Sequence, residues 1–522
     1  MPRFSGRVVA LVLVLGLCAG AALVIAARRA DDAPATSDTA VIESYVLMAS
    51  QGQLLVGAYS RFQWHHPGPF YFYVLAPFYA ASGHKTAGLD AGAGAISIAS
   101  VLITATVLMR RRPLLAATVS AALALFAWRA AEATTSPWNP HVPLLPLVAL
   151  IVVAADVVAG RARLLPGVAL LASLAAQAHI ALVPCAFTLG AIPFARAVWG
   201  AVHGSAQSHW RRSLGVTILA LGAAWSLPIY EQLSAMPRGN LTELWRFFLH
   251  QPRHGQAMGV AISAWSDMLA GIVRPDFYVA HGWPFVESPV RWAEALTLVT
   301  LGMVVGSLVR SRRSRDSFGV SLATLLVVSS AVSLWSATRI EERVFDHDVF
   351  WMAGIGLLNL AVAFELAGRL AVGPGGRRDG LLRVTSGALV ALTCALAMLT
   401  VNRAVRRSFS PAPDALIARA LARDLEQFLT AERVGRPLIT IDQDAWGYVA
   451  GAVLDLQKRG RIVSVEDDWV VMFTPLFRAT GHEDAVVSVA MPPEHLRLQQ
   501  QGRPTISAHE PVFAHLVPVS AR

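Results

Sequence analysis

Residues 88–112 read GLDAGAGAISIASVLITATVLMRRR, in which the first 22 positions carry a single charge, Asp90, and the last three are all arginine. At about 1.5 Å of rise per helical residue, such a run crosses a hydrocarbon core of roughly 30 Å. Arginine held at one end of a span marks the face that stays in the cytoplasm. The same unit, a long apolar run closed by arginines, recurs along the chain.

Further runs of spanning length are Val8–Ala27, Leu114–Ala131, Val142–Ala159, Ser213–Tyr230, Trp292–Val309, Phe318–Ser336, Val349–Ala371 and Leu381–Val401. Arg3 and Arg7 precede the first of these, whose full membrane length predicts an uncleaved signal anchor. Leu164 to Ala195 is too long for one untilted crossing and contains Pro184, so it is predicted as two short helices meeting near His179. The total is about eleven crossings. With the amino terminus inside, the clusters Arg110–Arg112, Arg161 with Arg163, Arg196 to Arg212, Arg310 to Arg315 and Arg369 to Arg383 all fall on the cytoplasmic face. The carboxy terminus then lies outside.

Pro69 to Ser82 is apolar but only about fourteen residues long. Its aromatics Phe70, Tyr71, Phe72, Tyr73, Phe78 and Tyr79 suit a juxtamembrane helix at the outer face. The predicted fold is mainly α and polytopic, with about eleven transmembrane helices, outer-face juxtamembrane helices and a small C-terminal α/β extracytoplasmic domain. Residues 1–401 form the transmembrane part, with outer loops at 28–87 and 231–291, and residues 402–522 form the small domain. In that domain Pro437–Ile441, Arg461–Val465 and Ala485–Ala490 read as strands, and Trp446 to Lys458 as a helix closed by Gly460.

Composition agrees: 55% of the 522 residues are hydrophobic and 15% charged, against roughly a quarter charged in soluble proteins. The net charge of +10 comes from basic residues at the ends of spans, which excludes a nucleic-acid surface. Only Lys85 and Lys458 among the 44 basic residues are lysines. Cys18, Cys185 and Cys394 all lie in apolar runs, so no disulfide or thiolate metal site is indicated. Walker, zincin, nucleophile-elbow and dinucleotide motifs are absent. Nor do the spans carry the paired carboxylates of an ion-coupled transporter, since Asp90 and Asp156 lie near helix ends.

Polar chemistry concentrates in the outer loops. In SDTAVIESYVLMASQG (37–52), Ile42, Tyr45, Val46 and Ala49 share one face, predicting a helix that ends at Gly52 and lies flat on the membrane. Asp38 and Glu43, five residues apart, point about 140° from each other, so only one of them is the working carboxylate; Asp38 also suits an N-cap. In SRFQWHHPGPFYFYVLAPFY (60–79), Arg61, His65 and His66 press against an aromatic surface and either line a substrate site or snorkel to water. SPWNPH (136–141) offers Asn139 and His141, and the third loop offers Glu231 and Asn240, the latter a plausible cap for a following helix. TRIEERVFDHD (338–348) packs six formal charges and His347 into eleven residues, which fits a solvated turn or an anion grip at headgroup level.

These parts, in this order, resemble the GT-C superfamily of membrane glycosyltransferases, above all bacterial members related to protein O-mannosyltransferases and the lipid A aminoarabinose transferase. The resemblance covers most of the chain. It rests on Asp38 soon after the first span, the helix ending ASQG (49–52), the segment HPGPFYFYVLAPFY (66–79), the charged loop before a late span, and RPLITIDQDAWGYVAGAVLDLQKRGRIVSV (436–465). It implies sugar transfer from a polyprenyl-phosphate donor to a lipid, glycan or protein acceptor of the envelope, on the outer face of the inner membrane. It implies Asp38 or Glu43 as catalytic base and Arg339 or Arg343 on the donor phosphate; the outer-loop residues Arg61, His65, His66, Asn139, His141, Glu231 and His347 are the candidate substrate-binding residues beside them. A divalent metal is left open. Two positions depart from the family pattern: Thr39 stands where an acidic neighbour is usual, and Asn139 where a second acidic residue is, with Glu132 the nearby carboxylate. The rival readings are a lipid-linked sugar or envelope-polymer transporter and a catalytically inactive GT-C-like scaffold.

Overall fold

The computed structural model describes residues 35–203, 207–250, 255–274, 277, 291–371, 378–406 and 412–518. The expected first span, Val8–Ala27, lies outside the described residues, as does most of the linker at 373–380. The described residues form two compact units, one within 93–234 and 245–407, the other within 25–92, 235–244 and 408–522.

The first unit is helical. Its principal helices are α3 (Thr86–Arg111, which begins in the other unit), α4 (Pro113–Arg129), α5 (Leu144–Val158), α6 (Leu165–Ala178), α7 (Val183–His203), α8 (Gln207–Ser234), α10 (Met258–Leu269), α11 (Arg291–Arg313), α12 (Ser317–Ala337), α13 (Met352–Ala371) and α14 (Arg378–Arg406). Between α8 and α10 runs α9 (Asn240–His250). Among the described residues, α3, α7, α8, α11, α12, α13 and α14 are the seven long and apolar enough to cross a membrane. With the shorter α4, α5 and α6 they fall on the ten described spans expected from hydropathy.

The break near His179 is present. α6 stops at Ala178, His179 is extended, and α7 starts at Val183. Pro184 cannot donate to the preceding turn, so it is tolerated only as the second residue of α7.

Helix α5 is apolar around its whole circumference and is buried continuously from Leu144 to Val157, with α6, α7, α12 and α13 packed about it. A helix without a polar face belongs in the middle of a bundle. At its end Asp156 is fully buried between Arg111 at 2.5 Å and Arg161 at 3.0 Å. Glu365 of α13 is likewise buried, paired with Arg112 at 2.9 Å and Arg369 at 2.8 Å. The arginines that mark topology in the sequence therefore also neutralise two carboxylates that would be costly to bury alone.

The second unit joins α1 (Ser37–Ser50) and α2 (Phe70–Ala81) to the carboxy-terminal α/β fold. That fold contains α15 (Pro413–Ala431), β1 (Pro437–Ile441), α16 (Trp446–Lys458), β2 (Ser464–Val465), β3 (Ala485–Ala490), α17 (Glu494–Gln500), β4 (Thr505–His509) and β5 (Val512–Val517). The sheet order is β2-β1-β3-β5-β4, parallel at β1 and antiparallel around β5. The predicted α16 is present with its closing Gly460 at φ +78°, while the strand expected from Arg461 is reduced to Ser464–Val465. α15, α17, β4 and β5 are additional to the expected elements.

Helix α1 departs from the one-sided pattern expected of it. Every residue from Ala40 to Ala49 is buried, because α2 covers one side and α16 another. Two glycines one helical turn apart on α16 allow this approach: a Cβ on Gly451 would lie 2.6 Å from the Ala35 carbonyl oxygen, and one on Gly447 2.5 Å from Ser37 Oγ. Gly451→Ala is expected to lower stability by about 1–3 kcal/mol, since backbone and the Ala418 methyl must both move. Thermal unfolding of the detergent-solubilised chain measures this.

Candidate functional site

Helix α1 presents the two carboxylates of the first loop to different surroundings, as their five-residue spacing requires. Asp38 is not the N-cap. Thr36 holds that position and makes no side-chain capping bond, while Asp38 sits in the first turn, half-buried, and accepts a hydrogen bond from Tyr59 Oη at 2.5 Å. Burial first, then the Asp38 charge, hold the Tyr59 phenol far above its usual range, so Tyr59 remains a donor at any working pH.

Glu43 is fully buried. Its carboxylate pairs with Lys458 of α16 and accepts hydrogen bonds from Tyr79 Oη at 2.9 Å and Thr86 Oγ1 at 2.7 Å. Ser44 beside it donates to Gln457 at 2.7 Å. Charge and lone pairs of Glu43 are thus committed to holding α1, α2 and α16 together, whereas Asp38 is only half-buried.

Residues 58–66 turn back on themselves. Ser60 N donates to the Trp64 carbonyl and His66 N to the Ala58 carbonyl, both at 2.8 Å, and the tip at Gln63 has φ +63°. Arg61 is exposed at this tip with its guanidinium 4.9 Å from the Phe62 ring centre, while His65 and His66 are buried. Asn240 is the first residue of α9 and is buried. Its amide accepts from His65 N at 2.9 Å and donates to the His65 and His66 carbonyls at 2.9 and 3.2 Å, standing in for a neighbouring strand. Asn240→Ala would leave the buried His65 N–H and C=O unpaired, an expected loss of about 1–3 kcal/mol for each group. Hydrogen exchange at His65 and His66 in the variant, faster than in the parent, is the check.

In the helical unit the loops around SPWNPH and TRIEERVFDHD meet. The Trp138 ring lies 4.9 Å from His141 and 5.3 Å from His347, and Phe350 closes the cluster at 5.2 Å from His141. Enclosure of its ring, then the His347 charge, push the His141 pKa down to about 3, so it is neutral at pH 7. Asn139 donates to the Ala178 carbonyl at 3.4 Å. Gln256 donates to the Ile340 carbonyl at 3.0 Å and Gly255 forms a bridge with Glu341, which pins the charged loop. Arg339 and Arg343 are exposed on that loop, and Glu231 is half-buried in the last turn of α8. Among the described residues, no three His, Cys, Asp or Glu side chains gather as a metal site requires.

Sequence reasoning did not single out Tyr59, Tyr71, Tyr79, Trp138 or the role of Lys458. For Lys458 a signal was present: a chain that uses arginine almost throughout keeps a lysine there, on the predicted helix of the tail. For the tyrosines none was, because aromatic residues at a membrane face have a sufficient reason to be there.

No protein-family model matches the chain, and no curated protein matches it by sequence. Its structure is similar to the crystal structure of ArnT from Cupriavidus metallidurans in the apo state, with a TM-score of 0.57 at 12% identity over 96% of this chain and 97% of that one. The chain therefore has the polytopic membrane fold of that protein.

Proposed function

From this fold, and from the resemblance of the sequence to the GT-C superfamily, we propose that this chain transfers a sugar from a polyprenyl-phosphate-linked donor to an envelope acceptor on the extracytoplasmic face of the inner membrane. One observation carries the reading of its chemistry. Of the two carboxylates on α1, Glu43 is fully buried against a lysine, and Asp38 is half-buried and accepts a short hydrogen bond from Tyr59. As the half-exposed one of the two, Asp38 is the carboxylate that a substrate can reach, and the group that takes the proton.

In the proposed step the acceptor oxygen attacks the anomeric carbon, the bond from that carbon to the phosphate oxygen breaks, and its electron pair leaves on the polyprenyl phosphate. Asp38 takes the acceptor's proton. Arg339 and Arg343 stabilise the departing phosphate, a task suited to guanidinium groups. Arg61, His65, His66, Asn139, His141, Glu231 and His347 line the binding surfaces. A polyprenyl donor cannot leave lipid, which explains why the acidic and basic loops belong to a polytopic protein with aromatic segments at its outer face.

The test is transfer by the purified full chain in proteoliposomes supplied with radiolabelled undecaprenyl-phosphate hexoses and pentoses and an envelope extract. Label appearing in an acceptor supports the reading. Label crossing the bilayer on its lipid without transfer would establish the transporter instead, and absence of both would leave the scaffold.

A further inference from the structure

Between Asp156 and Glu231 the chain has no acidic residue but five arginines, Arg161, Arg163, Arg196, Arg211 and Arg212. One of them is spent inside the fold, where Arg161 pairs with the buried Asp156 at 3.0 Å. The other four are in no ion pair with any described residue. Setting the orientation of the spans requires only that such charge lie near their ends, not that it converge. Here the fold makes it converge.

Three segments meet at one end of the helical unit. Helices α6 and α8 run in the same direction, since α7 returns between them in the chain and packs on both. Gln177 near the end of α6 donates to the Ala224 carbonyl of α8 at 2.8 Å, and Ser173 Oγ accepts from Trp225 Nε1 at 3.0 Å. The same offset at the start of α6 sets the turn Ala162–Leu164, with Arg163, level with Arg211 and Arg212, and that turn packs against α8. The end of α7 is tied to the start of α8. Arg211 Nε donates to the Ala201 carbonyl at 3.2 Å, and a Cβ on Gly200 would lie 2.6 Å from the Trp210 ring. The half-buried Arg196 has its guanidinium carbon 4.9 Å from the centre of that ring. A cation over an aromatic face is held without an acceptor for its N–H groups, so these remain for a ligand.

We propose that Arg163, Arg196, Arg211 and Arg212 hold the phosphate headgroup of an anionic phospholipid at this end of α7 and α8. The inference stands apart from the transfer reading. Four cations gathered without a carboxylate repel one another, and an anion among them turns that repulsion into attraction. The planar donor fork of a guanidinium matches phosphate oxygens, which selects the headgroup chemistry. The surface beside the arginines selects a lipid over a soluble phosphate. Trp199 and Val202 are exposed on α7 next to Arg196, and the Trp199 ring stacks on His203 at 4.2 Å, as suits headgroup level. On α8, Ile218 and Leu219 are exposed two turns on from Arg211 and Arg212 along the same faces, where acyl chains would lie. Basic pockets between spans at one membrane face are where anionic headgroups bind.

The test is native mass spectrometry of the purified full chain in a neutral detergent, titrated with dioleoylphosphatidylglycerol and, separately, with dioleoylphosphatidylcholine. The parent is expected to bind phosphatidylglycerol more tightly than phosphatidylcholine. Arg163→Gln combined with Arg212→Gln should weaken phosphatidylglycerol binding by about 25-fold, roughly fivefold for each arginine near an anionic headgroup. Both side chains are exposed, so the melting temperature of this variant in lipid-free detergent should match that of the parent. Arg196→Gln alone should weaken binding by about fivefold. Arg312→Gln combined with Arg313→Gln, two exposed arginines at the end of α11, is the control and should leave the affinity unchanged. An equal loss in the control, or equal affinity of the parent for the two lipids, would show diffuse attraction and overturn the site. Full affinity in the Arg163, Arg212 variant and in Arg196→Gln would remove these residues from it. Glycerophosphoglycerol, the headgroup without acyl chains, should not compete; if it displaces the lipid at equal concentration, the lipid assignment fails.

Discussion

Asp38→Asn is expected to lower sugar transfer by about 10²–10⁴-fold, the usual worth of a positioned general base, with little change in stability. Asparagine keeps the size of the side chain, and its amide oxygen can still accept the Tyr59 hydrogen bond that Asp38 Oδ1 accepts at 2.5 Å. What it loses is the capacity to hold the acceptor's proton. Glu43→Gln is the control, since Glu43 already accepts from Tyr79 and Thr86 and pairs with Lys458. Initial rates in proteoliposomes, set beside melting temperatures, separate the two. Full transfer by both variants would remove the carboxylate assignment, and transfer lost only in Glu43→Gln would move the role to Glu43.

Lys458→Met should be the most damaging single change to the unit that holds α1. It leaves the fully buried Glu43 carboxylate without its cation, and breaking such a pair costs about 3–5 kcal/mol. Adding Glu43→Leu to Lys458→Met should recover part of that loss, because the uncompensated charge disappears, although Tyr79 Oη and Thr86 Oγ1 then lose their acceptor. Unfolding of the single and double variants, read as a cycle, measures the pair; a Lys458→Met protein as stable as the parent would show that solvent reaches Glu43.

How far the chain could be read without coordinates differs by element. The helical pattern of the transmembrane part was legible because bilayer thickness imposes a length and arginine marks the ends, and even the break at His179 follows from Pro184. The helix Trp446–Lys458 was legible from local periodicity and its closing glycine. The burial of α1 was not, because its second apolar side is covered by α16, some 400 residues on in sequence, through a contact that Gly447 and Gly451 permit. The short β4 and β5 escaped for a related reason: their pairing is with each other and with β3, and nothing local demands it.

Sequence alone determined that this is a polytopic membrane protein with its polar chemistry in a few loops and its tail an α/β fold, because hydropathy and charge at span ends are local properties read by the bilayer. Tertiary structure decided which of two carboxylates on one helix is fully buried in holding the fold and which stays half-exposed. That distinction depends on Lys458, Tyr79, Thr86 and Tyr59 arriving from separate segments, and no spacing within residues 37–52 encodes where they come to rest.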